Sequence, residues 1–365
     1  MPATTAPPTE PLDLVLHIGS GKTGTSSLQL FLHRNREHLA RLGHLYPQTP
    51  GRTRHTQLGL FIQPDDALGK RPSWERQQLS SPAEFRETFR RALSQEIAES
   101  GLSRVLFSDE ALYGSPDRAL ERLRSFVDEV AASLRIVVYL RRQDDHLVSR
   151  YQQVVKVGET RRLAERTRAM DFSKTYGYFP RLQKLQRELE PSELVVRRFE
   201  RESFIDGSLY QDFLDAAGID ARADSMEQVD PVNESLDVEA VEFLRILNIY
   251  RAENDAADLP KQNRPLVGKL SKAADGPTLT LPDPVLDDFM ATWDDSNQRV
   301  ARELLGDPSG QLFRTPRKTR NTTTEQVLDP ARIEHYVTLV GLPEHLQAPL
   351  RSVAEREARS AAQST

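Results

Sequence analysis

The chain has 365 residues, of which 38% are hydrophobic and 28% are charged. This composition is ordinary for a soluble protein, and the length allows one large domain or two modest ones. A formal net charge of −5 gives no overall positive field, so we expect no binding to nucleic acid or to an anionic membrane surface. No apolar run approaches the ~18–20 residues that cross a bilayer, and no transmembrane segment is expected.

The chain contains no cysteine, which excludes disulfides, thiol nucleophiles and cysteine-ligated zinc and fits a cytoplasmic protein. Its eight histidines show no H-x-x-x-H spacing, so no metal site is expected. Residues 1–11 are rich in proline and threonine and lack the basic and apolar regions of a signal peptide. They are predicted to form a disordered leader.

The first structured stretch is an apolar run, residues 12–18, followed by Gly19-Ser20-Gly21-Lys22-Thr23-Gly24-Thr25-Ser26-Ser27. Strand, glycine-rich turn and helix is the arrangement that directs backbone N–H groups and a helix N-terminus at an anion. Lys22 adds a positive charge, and four hydroxyl residues add hydrogen-bond donors. The stretch therefore predicts a phosphate cradle.

Hydrophobic periodicity and turn residues predict alternating strands and helices over the first 220 residues. Ser81-Pro82-Ala83-Glu84 has the N-cap serine, proline and glutamate of a helix start. In chain order the predicted elements are a strand at 12–18, a helix at 26–42, a short strand at 45–47, a long irregular and flexible segment at 48–80, a helix at 82–100, a strand at 104–107, a helix at 116–133, the strongest strand at 134–140, a helix at 144–157, an irregular basic segment at 158–171, a helix at 180–190, a strand at 194–199 and a helix at 209–217.

The last third of the chain is predicted to be mainly helical. Four helices are expected at 235–250, 283–305, 329–340 and 343–361, with a flexible loop at 251–282 and a polar connector at 307–324. We therefore expect a single domain over residues 12–325 and a helical C-terminal extension over residues 326–365.

Apolar strands that alternate with amphipathic helices predict an α/β fold, in which helices cover both faces of a central, mostly parallel sheet. Together with the glycine loop, this pattern predicts a three-layer, P-loop-like fold. Ligands of such sheets bind at the carboxyl ends of the strands. The residues that follow three strands, 19–27, 108–110 and 141–149, are therefore expected to converge.

The glycine loop departs from the Walker A pattern of nucleoside-triphosphate-binding proteins. That pattern places a glycine five residues before the Gly-Lys-Ser/Thr triplet. For Gly21-Lys22-Thr23 this position is Leu16, so the triphosphate pattern fails at its first residue. The structural alternative is a simple turn in which Lys22 is only solvated.

A second candidate anion site follows the strongest strand. Arg141 comes directly after that strand, and Ser149 lies eight residues later in the following helix. A guanidinium and a nearby hydroxyl suit a terminal phosphate. Residues 135–168 also contain nine Lys or Arg against four Asp or Glu, a local excess of positive charge that favours anions. The alternative is a solvated basic helix face paired with Asp144 and Asp145.

Two candidate bases complete the set. Ser108-Asp109-Glu110 follows a buried strand, and Glu110 could act as a general base in the same cleft. An acidic strand end also resembles the one that holds Mg²⁺ in P-loop ATPases, and carboxylates that only cap the next turn are a further alternative. His55 is the second candidate base, although a lone loop histidine is more often solvated or structural.

Two of these elements together resemble a known family. The run from His17 to Leu28 is similar to the 5′-phosphosulfate loop of sulfotransferases that use 3′-phosphoadenosine-5′-phosphosulfate (PAPS). The family's Lys-x-Gly-Thr-Thr/Ser core falls on Lys22, Gly24, Thr25 and Ser26. The run from Ile136 to Tyr151 resembles the family's 3′-phosphate motif, in which an arginine after the strand and a serine eight residues later bind that phosphate. The likeness covers roughly residues 13–250.

The chain also departs from the small-phenol branch of that family. It has Gly21 where proline is usual before the lysine, Ser27 where tryptophan is usual, and Arg142-Gln143 where Asn-Pro is frequent. These differences place the resemblance nearer to the bacterial, carbohydrate-directed branch. The acceptor that the resemblance implies is a hydroxyl of a carbohydrate or glycolipid, and homo-oligomerisation is left open. Basic residues at 150–168 would suit an anionic glycan, but solvation explains them equally well.

The resemblance implies that a sulfuryl group passes from PAPS to the acceptor hydroxyl and that adenosine 3′,5′-bisphosphate is released, without a metal. Lys22 would stabilise the leaving oxygen, and Arg141 and Ser149 would bind the 3′-phosphate. Glu110 is the preferred base and His55 the second. The remaining cofactor-binding residues would be Gly21, Thr23, Gly24, Thr25, Ser26 and Ser27. The alternatives are a P-loop nucleoside-triphosphate-dependent kinase or ATPase, and a non-catalytic nucleotide-binding relative.

Overall fold

The computed structural model describes residues 11–69, 74, 81–229, 235–254, 258–317 and 319–363. The chain divides into two compact units. Unit 1 comprises Met1–Arg142, Phe172–Pro231 and Asp294–Thr315, and unit 2 comprises Gln143–Asp171, Val232–Trp293 and Pro316–Thr365. The boundary predicted at 326 stays a prediction. Ten residues of the predicted disordered leader, 1–10, lie outside the described residues.

Unit 1 contains a five-stranded sheet, whose strands are β1 (Leu12–His17), β2 (His44–Leu45), β3 (Arg104–Ser108), β4 (Ala131–Leu140) and β5 (Glu193–Arg198). All neighbouring strands are parallel, in the order β2-β3-β1-β4-β5. This confirms the predicted α/β class with a parallel sheet. From β1 the chain continues to β2, at one edge of the sheet, and from β4 it continues to β5, at the opposite edge. The two connections therefore lead in opposite directions from the neighbouring strands β1 and β4. A crevice at such a point is where open α/β sheets bind ligands.

In chain order, the α-helices of the described residues are α1 (Thr25–Arg34), α2 (Arg36–Arg41), α3 (Thr56–Phe61), α4 (Asp65–Leu68), α5 (Pro82–Ser100), α6 (Asp117–Val130), α7 (Gln143–Val155), α8 (Leu163–Ala169), α9 (Ser173–Tyr176), α10 (Tyr178–Leu189), α11 (Leu209–Ala216), α12 (Val238–Glu253), α13 (Arg264–Ala273), α14 (Asp283–Ala291), α15 (Asp294–Arg299), α16 (Ile333–Val340) and α17 (Gln347–Gln363). A π-helical segment, Val300–Leu304, follows α15. Across the described residues, no helix is both long enough and apolar enough to cross a membrane.

Both faces of the sheet are covered because its strands are apolar on both sides. Alternate residues of a strand point to opposite faces. On one face Val15 and Val137 pack in the same buried cluster as Phe31 of α1 and Phe213 of α11. On the other face Leu14, Leu93 of α5 and Phe126 of α6 line a small cavity. Each buried side chain of this size stabilises the fold by about 1.5–3 kcal/mol.

Local sequence signals predicted several element ends closely. The Ser81 hydroxyl accepts a hydrogen bond from the Glu84 N–H at 3.1 Å, and α5 begins at Pro82 and ends before Gly101, whose φ is +65°. These are the expected N-cap and left-handed C-cap. β3, β4 and α11 also match their predicted positions, although β4 begins at Ala131, three residues earlier than expected.

Four segments correct the predictions. The helix expected over 26–42 is broken at Asn35, whose side chain donates to the Glu227 carbonyl and accepts from the Glu227 N–H, both at 2.9 Å. The segment 48–80, predicted irregular, contains α3 and α4, while residues 70–73 and 75–80 lie outside the description. The segment 158–171 contains α8. The loop predicted at 251–282 contains α13 and the short strand Thr278–Leu279, which pairs with Thr322–Thr323.

Unit 2 is organised around α12 and a buried charged cluster. Arg245 of α12 is only 2% exposed and donates to Glu242 at 2.6 and 2.8 Å and to Glu357 of α17 at 2.7 Å. Asn263, fully buried just before α13, donates to the Val155 carbonyl at 3.1 Å. These long-range contacts explain why the stretch around Asn263 is ordered, although its local sequence resembles a loop.

Candidate functional site

The loop between β1 and α1 has an unusual backbone. Gly21, Lys22 and Gly24 have φ values of +82°, +53° and +69°. The left-handed region is favourable for glycine but costs a lysine energy, and such positions are found disproportionately at functional sites. Gly24 is also tightly packed, because a Cβ atom there would lie 2.6 Å from Leu209 Cδ2. The loop conformation is therefore fixed by contacts and by glycine, as a preformed anion cradle requires.

Strand β4 and the arginine that follows it hold this loop in place. The Ile18 N–H donates to the Val137 carbonyl at 3.0 Å, and the Ser20 hydroxyl donates to the Tyr139 carbonyl at 2.9 Å. The Arg141 guanidinium, at the end of β4, donates to the Lys22 carbonyl at 2.9 Å. The structure thus brings Arg141 to the glycine loop, at the point where the strand connections diverge.

Helix α1 begins at Thr25 and presents its N-terminus at the end of this loop. Its N-cap is Gly24, which offers no side-chain hydrogen bond, and its first turn contains no acidic residue. The helix dipole and the N–H groups of the first turn therefore favour an anion at this end. Thr25 is nearly buried, Ser26 is exposed and Ser27 is half-buried. Thr23 is fully buried, and its hydroxyl has no hydrogen-bond partner among the described residues.

Glu110 reaches the same loop from the end of β3. Its Oε2 accepts a hydrogen bond from the Thr25 hydroxyl at 2.5 Å, and its Oε1 accepts one from Arg54 Nη1 at 2.9 Å. The Glu110 side chain is 31% exposed, so solvent and ligands can reach it. Of the two candidate bases, it is the one that contacts the phosphate-loop residues directly.

Arg54 links Glu110 to a second, fully buried carboxylate. Its Nε donates to Asp109 Oδ1 at 2.9 Å, and its Nη2 forms an ion pair with the same oxygen at 2.8 Å. Asp109 Oδ1 also accepts the Ala111 N–H at 3.0 Å. In the part of the chain that the structure describes, Oδ2 has no hydrogen-bond partner, and a Cβ on Gly59 would lie 2.3 Å from it. Burial raises the pKa of Asp109, and the Arg54 guanidinium acts in the opposite direction.

His55 is completely buried beneath the site. Its Nδ1 accepts the Ser108 N–H at 3.1 Å, and its ring packs against that of Tyr46 at 4.3 Å. Burial lowers its pKa to about 3, and the Pro47 carbonyl only partly opposes this effect. His55 is therefore neutral at ordinary pH and shielded from solvent. These surroundings suit a structural role better than that of the base, which remains a prediction.

A layer of buried polar groups supports the strand ends. His17 Nδ1 lies 2.8 Å from the Ser108 hydroxyl, and Gln29 Nε2 of α1 donates to the same hydroxyl at 3.2 Å. Burial lowers the pKa of His17 to about 3, so this layer is uncharged apart from Asp109 and Arg54 beside it. It joins β1, β3 and α1 directly below the loop.

Ser149, the predicted partner of Arg141, belongs to unit 2. It is half-buried on α7, and its pairing with Arg141 stays a prediction.

The predicted basic segment, also in unit 2, is largely neutralised by its own contacts. Glu159 accepts from Arg161 at two oxygens, each at 2.9 Å, and it forms an ion pair with Arg166. Burial works to raise the pKa of Glu159, but the Arg161 hydrogen bonds outweigh it and lower that pKa to about 2. Lys156 is only 3% exposed. These contacts leave less free positive charge for an anionic glycan than the sequence suggested.

No sequence signal predicted a role in the site for Arg54, Gln29 or Gly59, or the pairing of Asp109 with Arg54. Arg54 is one of several basic residues in a polar stretch, and no local spacing singles it out. Its contacts with residues 109 and 110 span more than fifty positions and exist only in the folded chain. Within the part of the chain that the structure describes, no group of three or more His, Asp or Glu side chains is arranged to hold a metal ion.

Comparison with known proteins gives no assignment of family. No family model matches the chain, and no solved structure matches it. An uncharacterized protein of Archaeoglobus fulgidus is 33% identical to the chain over 116 residues. The match covers 32% of this chain and 30% of that protein. The chain therefore spans less than a third of this relative's length.

Proposed function

We propose that this protein is a sulfotransferase that moves a sulfuryl group from PAPS to an acceptor hydroxyl of a carbohydrate or glycolipid. One observation carries the proposal. The glycine loop with Lys22, the Arg141 guanidinium and the Glu110 carboxylate meet at the carboxyl ends of three adjacent parallel strands. A cradle for one phosphate, a nearby guanidinium for a second and an accessible carboxylate form a set that suits this donor and this reaction.

The donor would lie with its 5′-phosphosulfate on residues 21–27. The N–H groups at the start of α1 and the Thr25 and Ser26 hydroxyls would bind the phosphate. As the S–O bond breaks, charge develops on the bridging oxygen, and Lys22 would stabilise it. Arg141, together with Ser149, would bind the 3′-phosphate, and Glu110 would accept the acceptor's proton. A P-loop-like arrangement of the three layers belongs to the same proposal.

The kinase or ATPase alternative requires a different role for Asp109. An acidic strand end holds Mg²⁺ in P-loop enzymes. Here Asp109 is fully buried, and its Oδ1 is already bound by Arg54 and by the Ala111 N–H. Leu16 in place of the first Walker glycine also disfavours a triphosphate. A non-catalytic nucleotide-binding relative is the other alternative, and it predicts binding without turnover.

The test combines binding with transfer. Calorimetric titration should give tighter binding of adenosine 3′,5′-bisphosphate than of ATP with Mg²⁺. Sulfate transfer from labelled PAPS should then be screened over glycans, glycolipids, phenols and amines. For the acceptor found, Lys22→Ala should lower turnover by a factor on the order of 10²–10³, the scale for one lost transition-state donor.

The exposed Lys174 of α9 provides the matched control, and Lys174→Ala should leave turnover unchanged. Preference for ATP with Mg²⁺, or near-normal turnover of Lys22→Ala, would exclude the proposed function.

A further inference from the structure

We infer that Thr25 couples the occupancy of the phosphate loop to the availability of Glu110. The inference rests on the proposed function in one respect, since it assumes that an anion binds the loop. It extends that function by giving the site a binding order. The Thr25 hydroxyl donates to the Glu110 carboxylate, and an anion that takes this hydroxyl releases one carboxylate oxygen.

The geometry leaves Glu110 with a donor on each oxygen. Thr25 donates to Oε2 at 2.5 Å and Arg54 donates to Oε1 at 2.9 Å. Arg54 is held in turn by the buried Asp109 through a hydrogen bond from Nε and an ion pair from Nη2. The Arg54 side of the carboxylate is thus fixed, whereas the Thr25 side depends on a single rotatable hydroxyl.

A threonine hydroxyl has only one proton, so it donates to one acceptor at a time. Thr25 is the first residue of α1, where an anion on the loop would be bound. The Glu110 carboxylate and the bound anion therefore compete for the same donor. They also carry like charges, so the carboxylate opposes the anion as long as it stays close to the loop.

The competition gives the reaction an order. Once the donor's phosphate accepts the Thr25 hydrogen bond, Oε2 is free while Oε1 stays on Arg54. The acceptor's oxygen then forms its bond to sulfur as the bond from sulfur to the bridging oxygen breaks. The acceptor's proton passes to Glu110 Oε2, and adenosine 3′,5′-bisphosphate leaves with the bridging oxygen. Glu110 thus becomes available only when the donor is in place.

A double-mutant cycle tests this coupling through binding alone. Wild type, Glu110→Gln, Thr25→Val and the double variant are titrated calorimetrically with inorganic phosphate and with adenosine 3′,5′-bisphosphate at about 0.15 M salt. At this ionic strength, long-range charge effects are largely screened. Glu110→Gln should bind both probes about 5- to 10-fold more tightly than wild type, because a neutral amide competes less well for the hydroxyl than a carboxylate.

Thr25→Val should weaken binding by a similar factor, and in its background the gain from Glu110→Gln should fall to about 2-fold or less. Thr25→Ser should restore both the affinity and the gain, since serine supplies the same donor. A merely structural role of Thr25 predicts no such rescue pattern. Hydrogen exchange of α1 in each variant verifies that the helix is intact.

The coupling is overturned if Glu110→Gln binds the probes no more tightly than wild type, or if its gain is the same with valine at position 25. It is also overturned if the wild-type loop binds no anion. If phosphate or ATP with Mg²⁺ shows the expected pattern but adenosine 3′,5′-bisphosphate does not bind, the coupling stands and the proposed sulfotransferase function fails.

Discussion

Substitution of Arg54 by methionine removes the cation that Asp109 and Glu110 share. Methionine is similar in length and keeps the apolar contacts of the stem. Glu110 is partly exposed and is solvated after the change. Asp109 is 0% exposed and loses its ionic partner, so the substitution leaves an uncompensated buried charge. The variant therefore measures how far Arg54 stabilises Asp109 in unit 1.

The distances set the expected size of the effect. At 2.8 Å between Arg54 Nη2 and Asp109 Oδ1, Coulomb attraction at an effective dielectric constant of ~20 is about 6 kcal/mol. Removing one partner of a fully buried pair typically costs 3–5 kcal/mol. Arg54 is 38% exposed, and solvent screening reduces its contribution. We therefore expect Arg54→Met to lower the local stability by about 2–4 kcal/mol at pH 8.

The loss should depend on pH in a defined direction. Burial raises the pKa of Asp109 above its ordinary value, and loss of Arg54 raises it further. Between the unfolded and the folded pKa the folded state binds more protons, so stability falls as pH rises through this window. The window extends upward in Arg54→Met. Its deficit relative to wild type should therefore shrink at pH 5, where Asp109 more readily takes up a proton.

Hydrogen exchange followed by mass spectrometry is the suitable assay, because a chain with two units need not unfold in one step. Peptides from β3 and α3 report the change, and peptides from α12 in unit 2 provide an internal reference. Asp109→Asn is the matched control, since it keeps the Oδ1 acceptor, removes the charge and should cost only about 1 kcal/mol. Equal losses of stability in Arg54→Met and Asp109→Asn would contradict the stabilisation of the Asp109 charge by Arg54. An Arg54→Met deficit that is the same at pH 5 and pH 8 would contradict it as well.

Three further predictions concern packing and the second unit. Gly59→Ala should destabilise unit 1 by about 1–3 kcal/mol, because its Cβ would lie 2.3 Å from Asp109 Oδ2. Gly114→Ala, where a Cβ meets no atom of the described residues within 4 Å, is the control in the same exchange assay. Gly24→Ala should weaken phosphate binding in calorimetry and cost more stability than the ~1–2 kcal/mol that a left-handed alanine costs by itself. A loss of no more than ~1–2 kcal/mol in the exchange assay would contradict the close approach to Leu209. Glu357→Gln should accelerate exchange in α12 by removing about 1–2 kcal/mol, since it weakens a charged partner of buried Arg245, whereas the change at exposed Glu355 should have no effect.

The amino-acid sequence by itself determined the class of the fold. Apolar strands that alternate with amphipathic helices favour burial in a parallel sheet covered on both faces. Local signals also placed element ends, as the Ser81 cap and Gly101 of α5 illustrate. The glycine loop was predictable for the same reason, because its chemistry lies in contiguous residues at a strand–helix junction.

The tertiary structure decided where local and long-range forces compete. The helix expected over 26–42 breaks at Asn35 because its amide pairs with the distant Glu227 backbone. The stretch around Asn263 is held by a buried side chain rather than by periodicity. The division into two units follows contacts among segments far apart in sequence, which no composition shift marks.

The candidate site likewise contains residues that the sequence predicts and contacts that only the folded chain shows. Residues 21–27, Glu110 and Arg141 could be proposed from sequence because strand ends of a parallel sheet lie at one edge. That the Thr25 hydroxyl binds Glu110, and that Arg54 joins Glu110 to buried Asp109, became visible only in the folded chain. A hydrogen bond requires the donor and acceptor to be placed to within a few tenths of an ångström. The residues joined here are 55 and 85 positions apart, and local residue patterns carry no information on the distance between them.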